Sequence, residues 1–254
     1  MLTGLSLPMV ALLALAGMVL DALLGEARRW HPLVGFGCWA NAIERRLNCG
    51  GGRFWRGTLA WLLAVMPFVL LAVWLTGGLA SFGSAGLLLH ALLLYFCIGL
   101  RSLREHTMPI AQALLRGDLA QARQLTARIV SRDTQQAQEA DLSKAAAESL
   151  LENGNDAVFG TLFWFVVAGG PGALLFRLAN TLDAMWGYRM PRFLSFGRFA
   201  ARFDDVLNWI PARLTALSYV LLAPTVADKR RAWHCWRTQA PAWSSPNAGP
   251  VMAS

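Results

Sequence analysis

The chain has 254 residues, of which 56% are hydrophobic and 15% charged, with a formal net charge of +8. Soluble domains carry about 25% charged residues, so this composition argues against an ordinary soluble domain. A mean hydropathy of +0.42 and a pI near 10.2 fit a membrane protein with basic loops instead. The same pI would suit a nucleic-acid binder, but the basic residues lie beside apolar runs and form no face interleaved with aromatics. No nucleic-acid partner is expected.

Taken in chain order, Leu5 to about Leu24 reads as a first span. A cleaved signal peptide is the competing reading; it lacks a basic n-region and a small-residue cleavage site before Asp21. A basic stretch with Arg28, Arg29, Arg45, Arg46, Arg53 and Arg56 follows, cytoplasmic by the positive-inside rule. The run 57–100 carries no charge apart from the usually neutral His90 and is long enough for two spans. A turn at Gly77, Gly78, Gly83 and Gly86 would make it a helical hairpin.

Residues 101–156 look soluble. Leu115, Leu119, Ala122, Leu125 and Ile129 recur at helical spacing, with Gly117-Asp118 as a start signal. Ala145, Ala146 and Ala147 predict a second helix over 140–152. Between them, Asp133 or Thr134 can cap a helix, or Arg132 can face a phosphate. The run 157–179 holds Gly169-Gly170-Pro171-Gly172 and reads as a kinked span or a re-entrant pair of half-helices. Arg177, Arg189, Arg192, Arg198 and Arg202 favour the re-entrant form, because both ends then stay inside. Leu214 to Ala227 contains Pro224 and is too short to span; it reads as a second re-entrant or buried segment.

The expected fold is therefore all-α: a polytopic helical membrane protein with a cytosolic helical subdomain and re-entrant half-helices. Its expected parts are 1–100 (three spans and one cytosolic loop), 101–156 (cytosolic helices) and 157–254 (a second membrane-associated region). The four cysteines, at 38, 49, 97 and 235, have no zinc or redox spacing and read as reduced bystanders.

Several polar clusters stand beside the apolar runs, where polar groups are costly unless used. Asp21 with His31-Pro32 is a membrane edge and turn, or a site. Lys144, Glu148, Glu152 and Asp156 follow an i, i+4 stripe, solvated unless the last two meet a ligand. Asn180-Thr181-Leu182-Asp183 follows. Asp204-Asp205 with Asn208 and Arg213 offers oxygen ligands for Mg²⁺ and a cation for phosphate, or simply balances Arg198 and Arg202. No Walker A sequence, GxSxG or HExxH occurs.

These clusters come in a recognisable order: LDALLGEARRWHPLVGFG, SRDTQQ, KAAAESLLEN, LFWF, NTLDAMWGY, FGRFAARFDDVLNWIPARLTAL and SSPNAG. Together they resemble the adenosylcobinamide-phosphate synthase family, the integral membrane amide synthases of cobalamin biosynthesis. The resemblance implies ATP-dependent, Mg²⁺-assisted amidation of adenosylcobyric acid by aminopropanol or its O-phosphate, at a bacterial inner membrane with the functional loops in the cytoplasm. It implies Asp204 and Asp205 for Mg²⁺, and Arg132 and Arg213 for phosphate. Glu152 or Asp156 would orient the amine. His31, Asn153, Asn180, Asp183, Ser245 and Asn247 are further implied substrate contacts. Corrinoid and aminopropanol-type substrates, the lipid bilayer and other enzymes of the pathway are the implied partners.

The sequence departs from the family pattern at Glu26-Ala27, Cys38, Gly154, Asn155, Ala157 and Thr161. The family pattern also continues beyond the last residue here, which predicts a C-terminally shortened member. A non-catalytic signalling homologue of the same superfamily and an inactive shortened homologue are the alternatives. A transporter is disfavoured by the nearly charge-free spans.

Overall fold

The computed structural model describes residues 4–26, 32–79, 83–130, 133–243 and 245–254. Among them every regular element is helical: α1 (Leu7–Leu24), α2 (Pro32–Leu47), α3 (Arg53–Leu79), α4 (Ser84–Cys97), α5 (Leu100–Leu115), α6 (Leu119–Thr126), α7 (Glu139–Gly154), α8 (Gly160–Trp186), α9 (Arg198–Leu222), α10 (Val226–Gln239) and α11 (Ala248–Ala253). Four stretches are long and apolar enough to cross a membrane: Leu7–Leu24, Arg53–Gly78, Ser84–Leu115 and Glu139–Trp186. The protein is an all-α, polytopic membrane protein.

Contacts divide the chain into two units, Met1–Ile98 with Gly160–Ile210, and Gly99–Phe159 with Pro211–Ser254. In the first, α4 packs on α1 and α8, and α3 packs on α2 and α8. Its core holds Phe36, Trp61, Phe176, Leu182, Trp186 and Phe196, all buried. Glycine makes two of the approaches possible. A Cβ on Gly57 would strike the Phe196 carbonyl, and one on Gly197 the Trp186 carbonyl, so α3 lies directly against backbone at the loop after α8.

Two interruptions of the helices are met by side chains of this unit. At Ala168 (φ −136°, ψ 18°) and Gly169 (φ 64°, ψ −154°) α8 breaks. The Gly170 N–H, no longer committed to a helical carbonyl, donates to His90 Nδ1 at 2.9 Å. Further on, Pro211 lies inside α9 and lacks the N–H that would bond the carbonyl four residues earlier. That carbonyl belongs to Leu207, and it accepts instead from Trp164 Nε1 at 3.0 Å. In hydrocarbon an orphaned backbone group has no water to turn to, so a side-chain substitute such as His90 is what lets the apolar stretch Glu139–Trp186 break at Gly169.

The second unit is built from α5–α7, the end of α9, and α10–α11, around a small cluster of Ala113, Ala122 and Leu142. Gly117 (φ 71°) ends the α5 segment, and Asp118 caps α6 by accepting from the Gln121 N–H at 2.9 Å.

Several expectations need correction. The helical spacing from Leu115 to Ile129 is not one helix: Gly117 splits it, Leu115 is exposed at the end of α5, and Ile129 lies beyond α6. The start signal at Gly117-Asp118 is where α6 begins. Neither Asp133 nor Thr134 caps a helix. Asp133 accepts from the Gln135 N–H in a local turn, Thr134 donates to the Arg123 carbonyl, and Gln138 caps α7 through a reciprocal box with Asp141. Gly77, Gly78 and Gly86 are helical, so the hairpin turn is narrower than the glycine run suggested. The segment from Leu214 does not double back: it continues α9 to Leu222 and ends before Pro224. At Gly169 the chain does break, as both readings of that run required.

Candidate functional site

In the second unit the polar residues gather where α7 changes its winding. After Gly154 the chain makes a π-helical turn, Asn155–Phe159. This wider turn ends the i, i+4 stripe of Lys144, Glu148 and Glu152 one step before Asp156. Lys144 and Glu148 pair at 3.9 Å and Glu152 is exposed. Asn153 spends its amide on Ser149, donating to the Ser149 carbonyl at 2.8 Å. Asn155 is buried. It accepts from Thr215 Oγ1 at 2.9 Å and donates to Asp156 Oδ1 at 2.8 Å. The carboxylate of Asp156 is thus oriented by an amide that α9 holds in place.

On α9, Arg213 is half-buried and donates through Nη1 to Asn247 Oδ1 at 3.3 Å. Burial works against its charged form, which leaves a cation suited to an anionic oxygen. Ser245 shapes the other end of this pair: its Oγ accepts from the Asn247 N–H at 3.3 Å and the Ala248 N–H at 3.2 Å. The Pro-Ala-Arg and Ser-Ser-Pro-Asn segments, far apart in sequence, therefore meet. Sequence marked Asn155 only as a departure from the family pattern and did not mark Thr215; a small amide and a hydroxyl near apolar runs give no sign of a shared role until the fold pairs them.

In the first unit, Asn180 and Asp183 lie on α8, partly buried, and Asp204, Asp205 and Asn208 on α9. Each has a polar or electrostatic partner. Adjacent residues on a helix diverge by about 100°, so Asp204 and Asp205 leave α9 in different directions. Asp204 and Asn208, at i and i+4, share a face and are 7% and 2% exposed. No cluster of three or more His, Cys, Asp or Glu side chains with metal-holding geometry occurs among the described residues. A carboxylate and an amide oxygen still fit Mg²⁺, which keeps several waters and takes other ligands from substrate phosphates.

A separate ion pair, with Glu44 buried and Arg192 exposed, organises this unit. Arg192 grips Glu44 with two bonds, Nη2 to Oε2 at 2.6 Å and Nε to Oε1 at 3.1 Å. Asn48 donates to Glu44 Oε1 at 2.6 Å and to the Arg192 carbonyl at 3.1 Å. Burial alone would raise the Glu44 value; the Arg192 and Asn48 hydrogen bonds and the Arg192 charge outweigh it and hold the carboxyl below its ordinary range. His31 and Arg132 lie outside the described residues.

Comparison with known proteins sets these groups in a family. Residues 14–254 match the family model described as CobD/Cbib protein. The chain is 57% identical over 247 residues to the cobalamin biosynthesis protein CobD of Stutzerimonas stutzeri, covering 96% of this chain and 79% of that one. It is 52% identical over 244 residues to the protein of the same description from Chromobacterium violaceum, covering 93% and 76%. No solved structure matches.

Proposed function

This chain belongs to the CobD/Cbib family of cobalamin biosynthesis proteins, and we propose that it catalyses ATP-dependent amidation of adenosylcobyric acid by aminopropanol or aminopropanol O-phosphate. The observation that carries this reading is the pairing of Arg213 with Asn247, which brings together two segments of the family pattern around a half-buried cation.

Joining a carboxylate to an amine expels the equivalent of water and needs the carboxylate activated first. A phosphoryl group from ATP is the usual means. The carboxylate, the ATP phosphates and the activated acyl phosphate are all anionic, and a half-buried guanidinium with a fixed amide neighbour stabilises the charge that develops on them. We assign Arg213 and Asn247, with Ser245 holding the backbone, to a phosphate or carboxylate. Asp204 and Asn208 are assigned to Mg²⁺, which would supply charge neutralisation at phosphate; Asp205 is left to orient water or substrate around it. Asp156, positioned by Asn155, suits the amine better than exposed Glu152. Asn180 and Asp183 supply further polar contacts for substrate, and His31, Arg132 and Asn153 retain the substrate-contact roles implied by family resemblance. The reaction is placed at a bacterial inner membrane with the charged loops in the cytoplasm, where other enzymes of the pathway can meet them.

The test is complementation of a cobalamin auxotroph lacking the synthase, under conditions that demand cobinamide formation. Growth is expected with this chain and is expected to be lost with Asp204→Asn or Arg213→Gln. Absence of growth with the unaltered chain present in the membrane would favour the non-catalytic alternatives.

A further inference from the structure

The first unit contains an apolar groove of about 240 Å³ between α2, α3, α4 and the second half of α8. Its walls include Phe36, Phe68, Leu75, Leu93 and Leu178, and no lining side chain is charged. Along α4 the lining runs from Leu89 to Cys97, about 12 Å at the helical rise of 1.5 Å per residue. Three of the helices that form it belong to stretches able to cross a membrane, so lipid is the medium it meets.

Arg177 stands at the Cys97 end. It lies on α8 between the lining residues Leu174 and Leu178, and its guanidinium is close enough for its charge to act on the Cys97 thiol. Arg177 Nε is buried with no hydrogen-bond partner among the described residues. This contrasts with Arg192, Arg56 and Arg213, each of which donates to a protein acceptor. A cation in a membrane helix with its Nε buried and no acceptor is costly, and an anionic oxygen on its terminal nitrogens offsets the cost.

We propose that this groove binds one acyl chain of an anionic phospholipid, with the lipid phosphate resting on Arg177. A free phosphate would use only the cation, and a neutral glyceride only the slot. The two features adjoin at one end of a hydrocarbon channel, and a phospholipid answers both.

The test uses the full chain, purified in detergent and stripped of lipid, with phosphatidylglycerol as probe and lipid retention and thermal stabilisation as readouts. Phosphatidylglycerol is expected to bind and raise the melting temperature. Its chain-free headgroup, glycerophosphoglycerol, and inorganic phosphate are expected neither to stabilise nor to compete. Arg177→Gln is expected to weaken phosphatidylglycerol binding about tenfold, the effect of losing a charge-assisted hydrogen bond, while Arg177→Lys keeps most of it. Equal binding by Arg177→Gln would overturn the proposal, as would competition by glycerophosphoglycerol or phosphate alone. If Arg177→Gln is not recovered from the membrane, the competition series on the unaltered chain decides by itself.

Discussion

Glu44 and Arg213 show how single ionisable groups act here. Glu44 is nearly inaccessible, yet charged, because Arg192 and Asn48 saturate its oxygens. A carboxyl held below its ordinary value binds fewer protons when folded than when unfolded. Its contribution to stability is therefore complete above the unfolded value, about 4.3 for glutamate, and is lost as pH falls through the folded value. Thermal melts in detergent should show the melting temperature falling on acidification below about pH 5, and Glu44→Gln should flatten that part of the profile; an unchanged profile would remove Glu44 as its source. Arg213 bears on activity rather than on stability. Arg213→Gln is expected to lower the rate of amide formation by about 100-fold, as for loss of one donor to developing charge, with the protein still folded. Asn247→Ala, which leaves the guanidinium in place, should cost less. The pairing of these two could not be read from sequence, because nothing local links position 213 to position 247; the resemblance named both, and the fold supplies the bond.

Elements were most legible where one physical signal dominated. The charge-free runs gave α1, α3 and α4, and the alanines of 145–147 lie within α7. The errors fell where two signals competed. At Gly117 an unbroken apolar period hid a left-handed glycine, and at 155–159 an α-helical stripe hid a π turn. The break in α8 was visible as Gly-Gly-Pro-Gly, but its support was not: His90 lies in a distant apolar run and looked like an isolated neutral residue. His90→Ala should leave the Gly170 N–H buried without an acceptor and destabilise the protein by about 1–3 kcal/mol, measured by denaturation in detergent, with His90→Gln restoring part of the loss. Trp164→Phe, which removes the donor to the Leu207 carbonyl, should cost about 1 kcal/mol. Equal stability of His90→Ala and the parent chain would show that the break is held by packing alone.

Across the whole molecule, composition alone announced a membrane protein, and the four long apolar stretches bear that out. The distribution of arginines predicts an orientation that labelling can check within the first unit: Cys49, beside Arg45 and Arg46, should react with impermeant thiol reagents only from the cytoplasmic side, and Gly83→Cys, at the hairpin turn, only from the opposite side. The family follows from residues 14–254, while the catalytic roles rest on the placement of a few oxygens and guanidinium groups. The most direct trial of the account is synthesis with the purified full chain in lipid-containing detergent, supplied with adenosylcobyric acid, aminopropanol O-phosphate, ATP and Mg²⁺. Adenosylcobinamide phosphate is expected, formed with ATP consumption that requires both the corrinoid and the amine, and lost in Arg213→Gln. A folded, lipid-replete protein that consumes no ATP and forms no amide with either amine would contradict it.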